Sequence, residues 1–145
     1  MYSNLPKRQR RLIKLVLAAS WLLAGAGGIS AIVVSPNTIV AELGRLVVYG
    51  WGGVVAASSL VATAGVLFMR YRWEWWASWF AAAGIVPYVG TVWWLVAAGE
   101  TTRLTQAFLV ASLLGFFVLR ALLCAAHAAK LRALHGEVSS GDGNA

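Results

Sequence analysis

The stretch LVVYGWGGVVAASSLVATAGVLFMRYRWEWWASWFAAAGIVPYVGTVWWLVAA, from Leu46 to Ala98, decides how this chain folds. It is two apolar runs, 46–69 and 75–98, joined by Arg70-Tyr71-Arg72-Trp73-Glu74. Neither run contains a Lys, Arg, His, Asp or Glu. Each exceeds the roughly 20 apolar residues that an α-helix needs to cross hydrocarbon. A backbone surrounded by lipid has no water to bond and must close its own hydrogen bonds, so both runs are predicted to be helices. Their connection is short enough that the two helices must be antiparallel neighbours.

The same pattern extends to either side, at 15–34 and 104–123. Four spans account for most of the 145 residues, and at 60% hydrophobic the chain is too apolar for a soluble domain of this size. Ser35-Pro36-Asn37 stops the first span, because proline cannot continue the helical ladder. Thr38 to Arg45 is mildly amphipathic and suits the outer interface. Gly99-Glu100-Thr101-Thr102-Arg103 joins the third span to the fourth. Residues 1–11 are polar and expected to be loosely ordered. Residues 124–135 favour helix and extend the fourth span into the cytoplasm, Gly136 is a stop signal, and 136–145 read as a disordered tail. The expected architecture is all-α: one domain over 1–135, an integral membrane four-helix bundle running up and down antiparallel. No room remains for an extramembrane catalytic module, and no internal repeat is present.

Charge sets the orientation. Lys7, Arg8, Arg10, Arg11, Lys14, Arg70, Arg72, Arg120, Lys130 and Arg132 fall on one side of the four spans, against Arg45 and Arg103 on the other. Such a bias over short loops places both termini in the cytoplasm. The formal charge of +7 therefore reads as topology and contact with anionic phospholipid headgroups, about 1 kcal/mol per residue near the surface, and not as nucleic-acid binding. Expected interface anchors are Arg10, Arg11, Lys14, Arg70, Arg72, Arg120, Lys130 and Arg132, with Trp75 and Trp76 at the inner end of the third span and Trp93 and Trp94 at its outer end. From Trp73 to Trp94 is roughly 31 Å at helical rise, close to the hydrocarbon thickness. These aromatics read as an interfacial belt, with a ligand-binding cage as the sharper alternative. Trp21 lies about two turns inside the first span and is expected to pack on a neighbouring helix. That span resembles a secretory signal, with Ala24-Gly25-Ala26 as a cleavage site, but its apolar run continues to Val34 and reads as a retained anchor.

Each span carries small residues at helical spacing: Ser20, Ala24, Gly28 and Ala31; Gly52, Ala56, Ser59 and Thr63; Ala77, Ala81 and Gly84; Ala107, Ala111 and Gly115. Lipid supplies no hydrophobic drive between helices, so close approach through small residues is a main source of their association. These stripes either hold one bundle together or face outward and drive self-association. Pro87, between Gly84 and Gly90, removes one ladder bond and is expected to kink the third span, with Tyr88 and Thr91 near enough to satisfy freed carbonyls. Arg120 is the one charge inside an apolar run. Near the end of its span it can snorkel to the headgroups; lining a pore is the alternative.

Catalytic, metal and cofactor sites are not expected. His127 and His135 stand about 12 Å apart along a helix, too far to share one ion. Cys124 is the single cysteine, so no disulfide or paired-thiol centre can form within the chain, and it reads as a small apolar filler. Glu42, Glu74 and Glu100 all fall at interfaces, leaving no intramembrane carboxylate for proton-coupled transport. The chain is similar to the small multidrug exporters in length and span number but lacks the acid of their first helix. It likewise lacks the Cys-x-x-Cys of four-helix quinone-linked thiol oxidases.

The layout of a short basic N-terminus, four spans and a small basic tail resembles four-span membrane proteins of actinobacterial phages, some of them holins. The stretches that carry the likeness are RLIKLVLAASWLLAG from Arg11, WASWFAAAGIVPYVGTVWWLV from Trp76, and TRLTQAFLV from Thr102 with CAAHAAKLRALH from Cys124. The resemblance implies a lysis protein of the host inner membrane whose copies gather as homo-oligomers and then open lesions that depolarise the membrane. Ser58, Ser59, Thr63, Thr91 and Gln106 are the few polar atoms such a lesion could turn to water. The main rival is an accessory or superinfection-exclusion protein that binds another membrane protein, and a small channel or transporter is a third. Gene position discriminates: a neighbouring muralytic enzyme favours the holin, and neighbouring immunity or transfer genes favour the rival.

Overall fold

The computed structural model describes residues 6–34, 40 and 44–141, with side chains as far as 133. Four long helices make up almost all of it: α1 Lys7–Val34, α2 Arg45–Leu67, α3 Tyr71–Ala97 and α4 Leu104–Gly141, the last preceded by a 3-10 turn at Thr101–Arg103. No strand occurs among the described residues. All four helices are long and apolar enough to cross a membrane. The proline break at 35–37, most of 38–45 and residues 142–145 fall outside the described residues.

Three boundaries differ from the sequence expectation, one of them the start of α3 at Tyr71, inside the expected 70–74 connection. Helix α1 begins at Lys7 and takes in residues expected to be loose. Pro6 immediately precedes it and accepts the Arg10 N–H at 3.1 Å, and the fixed φ of proline suits a helix start. At the other end α4 runs through Gly136 to Gly141. An interior glycine costs a helix about 1 kcal/mol against alanine, which is insufficient to end it without a proline or a capping turn behind it.

Helix α3 is unbroken through Pro87. Thr91 donates its hydroxyl to the carbonyl of Pro87 itself at 2.9 Å, and Tyr88 Oη is the acceptor for Gln106 Nε2. The two turns between α2, α3 and α4 are built alike. Arg70 N–H reaches back to Gly65 O at 2.8 Å, and Glu100 N–H to Leu95 O at 3.0 Å. Each wraps over a residue with positive φ, Met69 at 59° in the first and Gly99 at 108° in the second.

Each helix packs along its successor, α1 on α2, α2 on α3 and α3 on α4, and α1 comes nowhere within 8 Å of α4 between Cα atoms. The α1–α2 seam is the tightest. A Cβ on Gly28 would sit 2.7 Å from the Gly52 carbonyl oxygen, one on Gly52 would sit 2.8 Å from the Gly28 oxygen, and one on Gly25 would meet Ser59 Cβ at 3.1 Å. Partner numbers fall on α2 as they rise on α1, so these two helices run in opposite directions. Gly84 opens the α2–α3 seam in the same way, with Val54 only 2.9 Å from a Cβ built there. The core gathers Ala18, Ala24, Val55, Ala62, Ala77, Ala81, Ile85 and the large rings of Trp21 and Phe117.

The stripes of α1, α2 and α3 thus serve contacts inside one copy, with Ala24, Gly28, Gly52, Ser59 and Ala81 buried and Ala56 and Gly84 half-buried. The α4 stripe does not stay on one face. Ala107 is buried, Ala111 half-buried and Gly115 exposed, with nothing within 4 Å of a Cβ at Gly115. At about 100° per residue, two successive steps of four drift by about 80°, whereas steps of four and three alternate around one line. The inner face of α4 is instead Ala107, Phe117, Arg120, Ala121 and Cys124.

Candidate functional site

Among the described residues, a cluster of buried charged and polar groups forms where α1, α3 and α4 converge beside the α2–α3 turn. Glu74 lies in the first turn of α3 and is 1% exposed; Arg120 on α4 is 5% exposed. Arg120 donates Nε–H to Glu74 Oε1 at 2.9 Å, and its Nη2 reaches the same oxygen. Trp21 Nε1–H points to that oxygen from α1 at 3.5 Å. The Cys124 thiol, buried one turn beyond Arg120, lies near the same carboxylate. Ser78 closes the set by donating to the Glu74 carbonyl at 2.7 Å.

Local sequence explains the placement. Gly65 on α2 lets the start of α3 come close, since a Cβ there would stand 3.0 Å from the Glu74 backbone nitrogen and 3.3 Å from its Cβ. Glu74 lies three residues before Ala77 and seven before Ala81, on the buried stripe of α3. Trp21 stacks on Phe117, ring centroids 5.2 Å apart and planes 10° from parallel, and meets Phe116 edge-on at 5.5 Å. Those aromatic contacts hold the indole where its N–H can reach the carboxylate, and they span the gap that the α1 and α4 backbones leave open.

Arg120 is therefore not directed outward as a headgroup anchor; it is turned inward. Glu74 likewise is enclosed by the fold, although it lies in the first turn of α3. Two opposite charges that satisfy each other can be buried where either alone would be strongly disfavoured. Glu74 does not stand out in the sequence, because it falls in the short connection between two apolar runs. The available signal was helical spacing, which puts Glu74 in line with Ala77, Ser78 and Ala81. No spacing rule names Arg120 as its partner.

The other expected anchors vary. Arg11, Arg70, Arg72, Lys130 and Arg132 are exposed, and Arg10 and Lys14 are half-buried. Arg70 lies over the Trp73 ring at 4.9 Å. Trp76, Trp93 and Trp94 are exposed, while Trp75 is half-buried and edge-on to Trp76. Trp93 packs edge-on against Phe108.

At the opposite end a cleft of about 370 Å³ opens along the α1–α4 seam. Gly27 and Ala31 of α1, Trp51 of α2, Ile85 and Tyr88 of α3 and Val110 of α4 help to line it. Trp51 stacks on Tyr88 at 4.7 Å, and Tyr88 is tied to Gln106. Among the described residues no group of three or more metal-ligating side chains comes together. No family model, curated protein or solved structure matches the chain.

Proposed function

We propose that this chain is a phage-encoded, holin-like protein of the bacterial inner membrane. In this reading it is an up-and-down four-helix bundle with both termini in the cytoplasm, and its copies associate to permeabilise the membrane. The observation that carries the reading is the segregation of polar groups. Ser58, Ser59, Thr63, Glu74, Ser78 and Arg120 are all buried within one copy, while Leu23, Val33, Leu60, Phe80, Leu109 and Leu119 face outward. A single copy is thus compatible with lipid on every side. The interior holds charge and hydroxyls that could line water if the helices separated, a larger inventory than the uncharged residues alone supply.

The seam best suited to separation is α1–α4, which is spanned by side chains and not by close backbone packing. Opening it would cost the Trp21–Phe117 stack, about 0.5–1.5 kcal/mol, and the Trp21 N–H bond to Glu74. Association of several opened copies would then offset that cost. Controlled expression in a bacterium, with membrane potential followed in time, tests the proposal. The expected result is normal growth and then abrupt depolarisation; sustained growth at high expression excludes it.

The buried Glu74 also favours a second reading, a small proton-linked transporter, because a carboxylate enclosed within a membrane bundle is the group such transport uses. Vesicle assays separate the two: indiscriminate leakage of small dyes supports lesions, and solute-specific flux abolished by Glu74→Gln supports transport.

A further inference from the structure

The buried ion pair leaves a consequence at the surface beside it. Glu74 is four residues beyond Arg70 and two beyond Arg72, and at helical spacing it is the natural carboxylate partner for Arg70. Arg120 occupies it instead. Glu100, the other paired acid among the described residues, is bonded to Arg103. Among the residues whose side chains are described, no carboxylate makes an ion pair with Arg70 or Arg72, and both side chains are exposed.

These two arginines border a cleft of about 570 Å³ between the α2–α3 turn and the extension of α4 beyond its expected span. Its wall is mixed. Arg70, Arg72 and His127 supply cationic or hydrogen-bonding edges, and Trp73, Trp76 and Leu131 supply apolar surface. The apolar members are 44%, 54% and 44% exposed. The Tyr71 ring packs edge-on to His127 at 4.8 Å and ties the start of α3 to α4, so the cleft is built from both helices.

We propose that this cleft binds one anionic phospholipid, with the headgroup phosphate held by Arg70 and Arg72 and the glycerol and upper acyl chain lying against Trp73, Trp76 and Leu131. Guanidinium groups match phosphate oxygens in a two-pronged geometry, and basic clefts between helices at a membrane surface are suited to lipid phosphates. Tryptophan rings prefer the level where headgroup meets chain. A soluble anion would use the arginines and leave the apolar wall without a partner, so the combined surface selects an amphiphile. The inference rests on the membrane placement proposed above but not on lesion formation.

Native mass spectrometry of the full chain in neutral detergent, titrated with phosphatidylglycerol or phosphatidylcholine, tests it. The wild type is expected to retain one phosphatidylglycerol in preference to phosphatidylcholine. Arg70→Gln with Arg72→Gln should weaken that retention roughly thirtyfold, at about 1 kcal/mol per arginine. Lys7→Gln with Arg8→Gln, which removes equal charge away from the cleft, should change it less than about threefold. If the double cleft variant does not fold, Arg72→Gln alone keeps the Arg70–Trp73 stack and should weaken retention about fivefold. Equal retention of the two lipids, equal loss in both double variants, or displacement by millimolar inorganic phosphate would overturn the proposal. Retained lipid without depolarisation in cells would overturn the holin-like reading and leave this site standing.

Discussion

Glu74 and Arg120 illustrate how one charge changes the cost of another. Either residue alone inside this apolar fold would lack a counter-charge. Together they share two guanidinium contacts, with Trp21, Cys124 and Ser78 completing the cluster around Glu74. A buried pair is costly to break and much less costly to replace whole. Arg120→Met should therefore destabilise the protein by about 3–5 kcal/mol in a denaturation series in mixed micelles. Glu74→Leu combined with Arg120→Met should recover most of that loss. If the double variant were no more stable than the single one, the pair would not be the source of the cost. Trp21 was legible as a packing residue from its depth in the first span. Its hydrogen bond to Glu74 was not, because that contact joins residues 53 positions apart.

At the scale of the helix, close approach is decided by where a Cβ would fall. Gly28→Ala would drive a methyl group against the Gly52 carbonyl, and backbone atoms must then shift. A loss of about 1–3 kcal/mol is expected. Gly115→Ala meets open space and should be neutral or gain up to about 1 kcal/mol from helix propensity. Opposite signs for the two substitutions, measured in the same detergent, would verify that the α1 stripe is an internal seam. The two turns make a matched pair of a different kind. Met69 has φ 59° where Gly99 has φ 108°, and a side chain in the left-handed region costs roughly 1–2 kcal/mol. Met69→Gly should raise the melting temperature, and Gly99→Ala should lower it. Helix existence and approximate span were readable from the apolar runs, since lipid leaves the backbone little choice. The end of α4 was not readable, because a lone glycine is too weak a stop.

For the whole molecule, the distribution of basic residues predicts that reporter fusions at either end are active in the cytoplasm, and activity on the far side would reverse the topology. The lesion proposal makes a separate prediction. Cysteines introduced at Ala31 and Val110, on opposite walls of the α1–α4 cleft, can be joined by a membrane-permeant bismaleimide. Stapled protein should insert normally but delay or abolish depolarisation, whereas depolarisation at the unstapled rate would show that this seam does not open.

What the sequence determined by itself is the number of apolar helices and the placing of basic residues between them. Both follow from local quantities: the length of an uncharged run, the need of each backbone group for a bond, and the count of basic residues in short loops. What only the tertiary structure decided is which side chains share an interior. The capture of Glu74 by Arg120, the glycine contact between α1 and α2, and the departure of Gly115 from the packed face all depend on how one helix is rotated against another. That rotation is set by the sum of many contacts made across the chain, so no single stretch of residues records it.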